Sequence, residues 1–136
     1  RNIRFDISGD GIINDVDRDL KLPRLSPWTY GGGLTYDQKI GSLGIATARI
    51  DFTHRDSARF TDNNAGFLPA ADMLDASLTY ATASQRWRLS IYGRNLLNEV
   101  TYGGDTPLSA AFGGPGASLS PLNKGRVIGG EVALSF

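Results

Sequence analysis

Apolar and polar side chains alternate with a period of two along five stretches of the chain. From Trp28 to Asp37 one parity reads Trp28, Tyr30, Gly32, Leu34, Tyr36 and the other Thr29, Gly31, Gly33, Thr35, Asp37. Residues 44–54 set Ala46, Ala48, Ile50 and Phe52 against Thr47, Arg49, Asp51 and Thr53. Residues 74–82 set Leu74, Ala76, Leu78 and Tyr80 against Asp75, Ser77 and Thr79, and residues 87–97 set Trp87, Leu89 and Ile91 against Arg88, Ser90 and Arg94. Residues 126–136 set Ile128, Gly130, Val132, Leu134 and Phe136 against Gly129, Glu131 and Ser135. A shorter stretch, Ile3, Phe5 and Ile7 against Asn2, Arg4 and Asp6, predicts the end of a sixth strand. Successive side chains of a strand point to opposite faces, so each stretch predicts a strand with one apolar and one polar face. No stretch of similar length repeats at 3.6 residues. The predicted fold class is all-β.

The connections at 8–27, 38–43, 55–73, 83–86 and 98–125 alternate long and short. Short links join antiparallel neighbours, and the five full strands have about the 9–11 residues that cross a bilayer core when tilted. Transmembrane barrels place short turns on the periplasmic side and long loops outside. The prediction is an up-and-down antiparallel array of about six strands forming part of a transmembrane β-barrel. A soluble β-sandwich shows the same alternation, but its core needs bulky side chains throughout. Here the apolar parity holds Gly32, Ala46, Ala48, Ala76, Gly93 and Gly130, while Trp28, Tyr30, Phe52, Tyr80, Trp87 and Phe136 gather toward strand ends. Lipid fills the space beside a small residue, and aromatic girdles mark barrel interfaces. Asp37, Arg49, Asp51, Asp75, Arg88, Arg94 and Glu131 all take the polar parity, where they would line a lumen, pairing with one another or holding a plug. A secreted, calcium-stabilised β-sandwich that binds carbohydrate or protein is the alternative.

Composition narrows the chemistry. With 14 Lys+Arg against 14 Asp+Glu in 136 residues, the chain lacks the basic surplus of a nucleic-acid binder. It has no Cys and a single His, which removes thiolate sites and makes a catalytic triad improbable. No Gly-x-Ser-x-Gly elbow is present, and Gly31-Gly32-Gly33 is followed by neither the Lys nor the helix of a phosphate loop. An enzyme is not expected. His54 at a strand end reads as an interfacial residue. Arg1 in first place suggests a processed chain or a piece of a longer one.

Three segments carry a resemblance: Leu22-Pro23-Arg24-Leu25-Ser26-Pro27-Trp28 before a Gly-rich strand, Tyr92-Gly93-Arg94-Asn95-Leu96-Leu97-Asn98-Glu99, and the terminal Val132-Ala133-Leu134-Ser135-Phe136. Together they resemble the carboxy-terminal part of a TonB-dependent outer-membrane receptor, over essentially the whole of residues 1–136. That resemblance implies a barrel of ~22 strands with an amino-terminal plug. It also implies import of scarce nutrients such as ferric siderophores, cobalamin or saccharides, energised through the TonB complex, in the outer membrane of a Gram-negative bacterium. The plug and the earlier strands have no counterpart here, so the chain is expected to act with the rest of the barrel, the plug and the surrounding lipid. The resemblance further implies that Gly129, Val132, Leu134 and Phe136 form a signal for the barrel-assembly machinery, through strand addition at a sheet edge.

Residues 6–17 follow the twelve-residue calcium-loop pattern, with Asp6, Ser8, Asp10, Asn14 and Asp17 as side-chain oxygens, the Ile12 carbonyl as a further ligand and Gly11 at the turn. The stretch is similar to the calcium loops of dockerin modules and predicts a structural Ca2+ clip. In the long connections, Tyr102 and Phe112, and Asp62, Asn63, Asn64 and Phe67, are candidate contacts for a small-molecule ligand. The identity of that ligand is not written in these residues.

Overall fold

The computed structural model describes residues 6, 11–18, 20–113 and 116–136. They form a one-turn helix α1 (Asp15–Arg18), then β1 (Thr29–Ile40), β2 (Gly44–Arg55), β3 (Ala58–Arg59), β4 (Phe67–Leu68), β5 (Ala71–Thr82) and β6 (Trp87–Arg94). The chain continues through β7 (Thr106–Pro107), a second one-turn helix α2 (Ala110–Gly113), β8 (Ser118–Leu119) and β9 (Val127–Leu134). The described chain is all-β apart from these two turns of helix. It divides into two compact units: residues 28–55, 71–100 and 124–136, and residues 1–27, 56–70 and 101–123.

The first unit is one antiparallel sheet in the order β1-β2-β5-β6-β9, an up-and-down array because the short strands between belong to the other unit. Tyr30 pairs with His54 and Lys39 with Ile45, so β1 and β2 match without a slip over their whole length. The same holds between β2 and β5, from Arg55↔Ala71 to Gly44↔Thr82. The sheet is open. Among the described residues, β1 and β9 each have a neighbour on one side alone.

Five of the expected strands are present, with shifted ends. β1 continues past Asp37 to Ile40, because Gln38 and Lys39 still meet Ala46 and Ile45. A main-chain ladder does not require apolar side chains. The turn is correspondingly tight, with Gly41 at φ 53° and the Leu43 N–H donating to the Ile40 carbonyl at 2.9 Å. β5 begins at Ala71 rather than Leu74, opposite Arg55. β6 ends at Arg94 rather than Leu97, since Asn95 turns left-handed at φ 51°. Alternation of side chains does not report such a turn. The expected sixth strand at residues 3–7 lies outside the described residues.

The second unit holds the three long connections. None is structureless: 55–73 contains the β3–β4 pair, and 98–125 contains the β7–β8 pair and α2. Among the described residues its buried apolar side chains are Ala58 and Leu68.

Candidate functional site

Directly opposed residues share a face, so the register sorts the sheet into rows. One face carries the rows Leu34–Ile50–Ala76–Gly93–Ile128 and Tyr36–Ala48–Leu78–Ile91–Gly130. It is apolar and uncovered: Leu34 is 76% exposed and Ile128 74%. A Cβ added at Gly32 on this face would meet nothing within 4 Å. A sandwich would cover this face with a second sheet; none does so among the described residues, and that alternative has no support. Near the ends the face turns amphipathic. At the end that the long connections leave, Tyr30 stacks on His54 (centroids 4.7 Å apart), and His54 Nδ1 lies 2.6 Å from Asp72 Oδ1. Asp72, expected in a loop, therefore sits in β5. At the short-turn end the Tyr80 hydroxyl donates to the Leu43 carbonyl at 2.9 Å.

The other face holds the charges. Asp37, Thr47, Thr79, Ser90 and Glu131 form one row across all five strands. Within it Thr47 Oγ1 donates to Asp37 Oδ1 at 2.6 Å, and Thr79 and Ser90 share a hydroxyl bond of 3.0 Å. Arg49, two residues from Asp51 and so on the same face, forks onto its carboxylate at 2.6 and 2.8 Å. Arg88 lies in the next row, opposite Ala81 and Ala133. Tyr92 lies on this face too, and its ring covers Gly129 so closely that a Cβ there would fall 2.6 Å from the phenol oxygen. The guanidinium carbon of Arg94 stands 5.8 Å from the same ring.

Where β6 leaves the sheet, Asn95-Leu96-Leu97-Asn98 forms a joint. From Arg94 to Asn98 the outgoing strand advances four residues, while its partner moves one, from Val127 to Arg126, whose N–H reaches Asn98 Oδ1 at 3.2 Å; three residues are looped out. Asn95, 2% exposed, grips Glu99 by both main-chain groups at 2.9 Å each. Its own N–H donates to Asp75 Oδ1 at 2.8 Å, and the Leu96 N–H donates to the Leu74 carbonyl at 2.7 Å.

In the second unit, three segments are tied by side chains. The Asn64 carboxamide bonds both main-chain groups of Lys21, at 2.7 and 2.8 Å. The Arg24 N–H donates to the Arg59 carbonyl at 2.5 Å, and Ser26 Oγ donates to the Asp56 carbonyl at 2.8 Å. Arg24 also lays its guanidinium 4.6 Å from the centre of the Phe60 ring. The same ring lies against Gly104, where a Cβ would come within 2.9 Å of it. Asp105 accepts from the Phe67 N–H and from Ser120 Oγ, each at 2.7 Å. Those bonds, Ser120 first, hold its carboxyl below the usual carboxylate range. Asn63 accepts from the Ala65 N–H at 3.2 Å, within its own turn.

The chain matches the family model for "TonB dependent receptor-like, beta-barrel" over residues 4–96, more than half its length. The chain belongs to that family. No curated protein and no solved structure matches it. The family is one of transport receptors rather than enzymes, set in the outer membrane and coupled to TonB. In a receptor barrel the uncovered apolar face meets lipid and the charged face lines the lumen. The expected segregation of Arg49, Asp51, Arg88, Arg94 and Glu131 is thus present in the registered sheet.

The other candidate residues of the receptor barrel separate. Val132 and Leu134 lie with the apolar rows, opposite Leu89 and Trp87, and Phe136 lies past β9, fully exposed. Gly129 faces the other way, beneath Tyr92. In the proposed calcium loop, Ser8 and Asp10 lie outside the described residues. Asp6 Oδ2 accepts from the Gly11 N–H at 2.7 Å, and Asp17, fully buried, accepts from the Asn14 N–H at 2.9 Å. Asn14 and Asp17 thereby cap α1 as residues N-cap and N3 of a helix do. Tyr102 bridges to Leu122, and Phe112 stands 80% exposed on α2. Asn64 and Phe67, expected as ligand contacts, are holding neighbouring segments together. The pattern of the sequence does not mark Phe60, Gly66 or Asp105. Asn95 lay within a recognised motif.

Proposed function

We propose that residues 1–136 are the carboxy-terminal part of a TonB-dependent importer, supplying about six wall strands, β1, β2, β5, β6 and β9 among them, and the connected outer loops. The plug and the remaining strands come from elsewhere in the receptor. The observation that carries this reading is the separation of faces across five strands in register: Leu34, Ile91 and Val132 on one side, Asp51, Arg88 and Glu131 on the other. An open edge in lipid leaves main-chain groups unpaired, each at several kcal/mol, so β1 and β9 need further strands. The ligand class is ferric siderophore, cobalamin or saccharide. The alternating β9, ending in Leu134, serves in addition as the strand read by the barrel-assembly machinery, and the long connections face outward.

The test is uptake by whole cells carrying or lacking the receptor, with labelled ferric siderophore, cobalamin and oligosaccharide offered in turn. Loss of one uptake, both on removing the receptor and on removing TonB, supports the reading. A polypeptide of 14.6 kDa found in the soluble fraction overturns it.

For residues 6–17 the proposal is a calcium clip through Asp6, Ser8, Asp10, Ile12, Asn14 and Asp17. Its support is the spacing of oxygens along the segment. Calorimetric titration with Ca2+ gives heat at one equivalent when the clip forms. Absence of heat overturns the clip.

A further inference from the structure

We propose that the joint at the end of β6 builds a seat for one anionic phospholipid, with an acyl chain in a groove of the apolar face and the phosphate on Arg126. The inference rests on the reading of this face as lipid-facing wall. Ala76 and Gly93 stand directly opposite each other with Ile128 next in their row, and Leu78 and Ile91 form the next row toward the short turns. Two small residues between larger ones leave a depression. Leu96 closes it at the end from which the long connections leave: a Cβ at Gly93 would come within 2.5 Å of the Leu96 side chain. Together these residues bound a hollow of about 320 Å³ that is almost wholly apolar.

The joint holds both parts of this seat in place. The Leu96 N–H donates to the Leu74 carbonyl at 2.7 Å, which fixes its main chain against β5. Asn98 Oδ1 accepts from the Arg126 N–H at 3.2 Å, so Arg126 is held beside the same end of the groove. Arg126 stands two residues before Ile128, the spacing of one face, and is exposed, as is Lys124 two residues earlier. An apolar groove that ends at a cation matches the two halves of an anionic amphiphile. A chain lying in the groove meets its floor and also Leu78, Leu96 and Ile128 around it, and dispersion grows with the number of such contacts. A guanidinium offers a phosphate two parallel N–H donors, and cations at the membrane surface draw anionic headgroups. A zwitterionic lipid fills the groove equally well but brings no net charge to Arg126. Because the groove is continuous with the rest of the apolar face, the chain reaches it by lateral movement in the bilayer.

Native mass spectrometry of the full receptor, released from nanodiscs holding phosphatidylglycerol and phosphatidylcholine in equal amounts, tests it. The expected result is a phosphatidylglycerol retained on the receptor in preference to phosphatidylcholine. Arg126→Gln is expected to reduce that preference about fivefold, the effect of one cation at the headgroup level, and Arg126→Lys to restore part of it. Arg88→Gln, the same loss of charge on the opposite face, is expected to leave it unchanged. Ala76→Leu fills the floor of the groove and is expected to abolish retention of either lipid. Equal retention of the two lipids overturns the proposal, as does an equal effect of Arg126→Gln and Arg88→Gln. Oleate added to the nanodiscs separates the phosphate from the chain: displacement of the phospholipid at equal concentration overturns the assignment. If Ala76→Leu fails to insert, Arg126→Gln decides alone, since that position is exposed and precedes β9. A receptor that does not enter nanodiscs contradicts the import reading itself, whereas one that enters and retains no phosphatidylglycerol contradicts this inference alone.

Discussion

In the sheet, residues from Gly31 to Lys39 meet main-chain partners on β2 whatever their side chains. In the second unit, Lys21 meets the side chain of Asn64, Gly66 the hydroxyl of Thr61, and Phe67 the carboxylate of Asp105. Both regions satisfy the same main-chain groups, but by different means. A ladder of main chain to main chain leaves side chains free to be chosen for the medium on each face. A network of side chain to main chain makes particular residues indispensable. The sheet therefore answers to the polarity of a position and the second unit to its identity.

The sharpest break of this comparison is a charge on the lipid side. Leu34→Arg, at the middle of β1 on the apolar face, is expected to destabilise the receptor in vesicles by ~2–4 kcal/mol. Ser90→Arg on the other face is expected to change it by about 0.5 kcal/mol or less. Urea midpoints in lipid measure both, and equal effects would erase the distinction between faces.

Next in size is Gly129→Ala, whose new methyl would collide with the Tyr92 ring, for a loss of ~1–3 kcal/mol. Adding Tyr92→Ala should remove the collision, and Gly130→Ala one residue along should be nearly silent, its nearest neighbour being Ser90 O at 3.5 Å. Asn95→Ala, which deprives Glu99 of both partners, is expected to cost ~1–3 kcal/mol. Its loss should appear in exchange of residues 95–100 before it appears in β6.

Acid sharpens the comparison from the side of the second unit. The Asp105 carboxyl is held below its ordinary range by Ser120 and the Phe67 N–H, so the ionised form favours the folded unit. That contribution is complete above the unfolded value of about 4 and disappears as pH falls through the lower folded value. Exchange protection at Phe67 should be flat down to about pH 5 and decline below about pH 4, and Asp105→Asn should abolish the decline. A small effect is expected of Arg49→Ala too, because its bond to Asp51 is water-exposed and screened by solvent.

The two regions were also unequally legible in the sequence. Alternation at Leu34, Ile50, Leu78, Ile91 and Val132 predicts the faces, because a strand's period of two is fixed by the backbone. It misplaces the strand ends at Ile40, Ala71 and Arg94, because Asp37-Gln38-Lys39 reads as a turn and the φ of Asn95 leaves no trace in polarity. The Asn-Leu-Leu-Asn segment was recognised as a family mark, yet its physical role, looping out three residues and clamping Glu99, needed coordinates. In the second unit, Asn64 and Phe67 stand out as polar and aromatic residues in a loop, the usual signs of ligand contact. Their partners, Lys21 and Asp105, lie 43 and 38 residues away in the chain, beyond the reach of any local pattern. Gly66 and Gly104 look like ordinary loop glycines until a carbonyl and a ring are seen against them.

The central claim is that one face of this sheet meets lipid and the other meets water. Single cysteines at Glu131, Val132, Ala133 and Leu134 of β9, each carrying a fluorophore in the receptor reconstituted into vesicles, test it most directly. Quenching by a lipid-borne nitroxide should alternate, strong at 132 and 134 and weak at 131 and 133, with a water-soluble quencher giving the opposite order. Quenching from water at all four positions would contradict the wall and remove the ground for calling this sheet part of a membrane barrel.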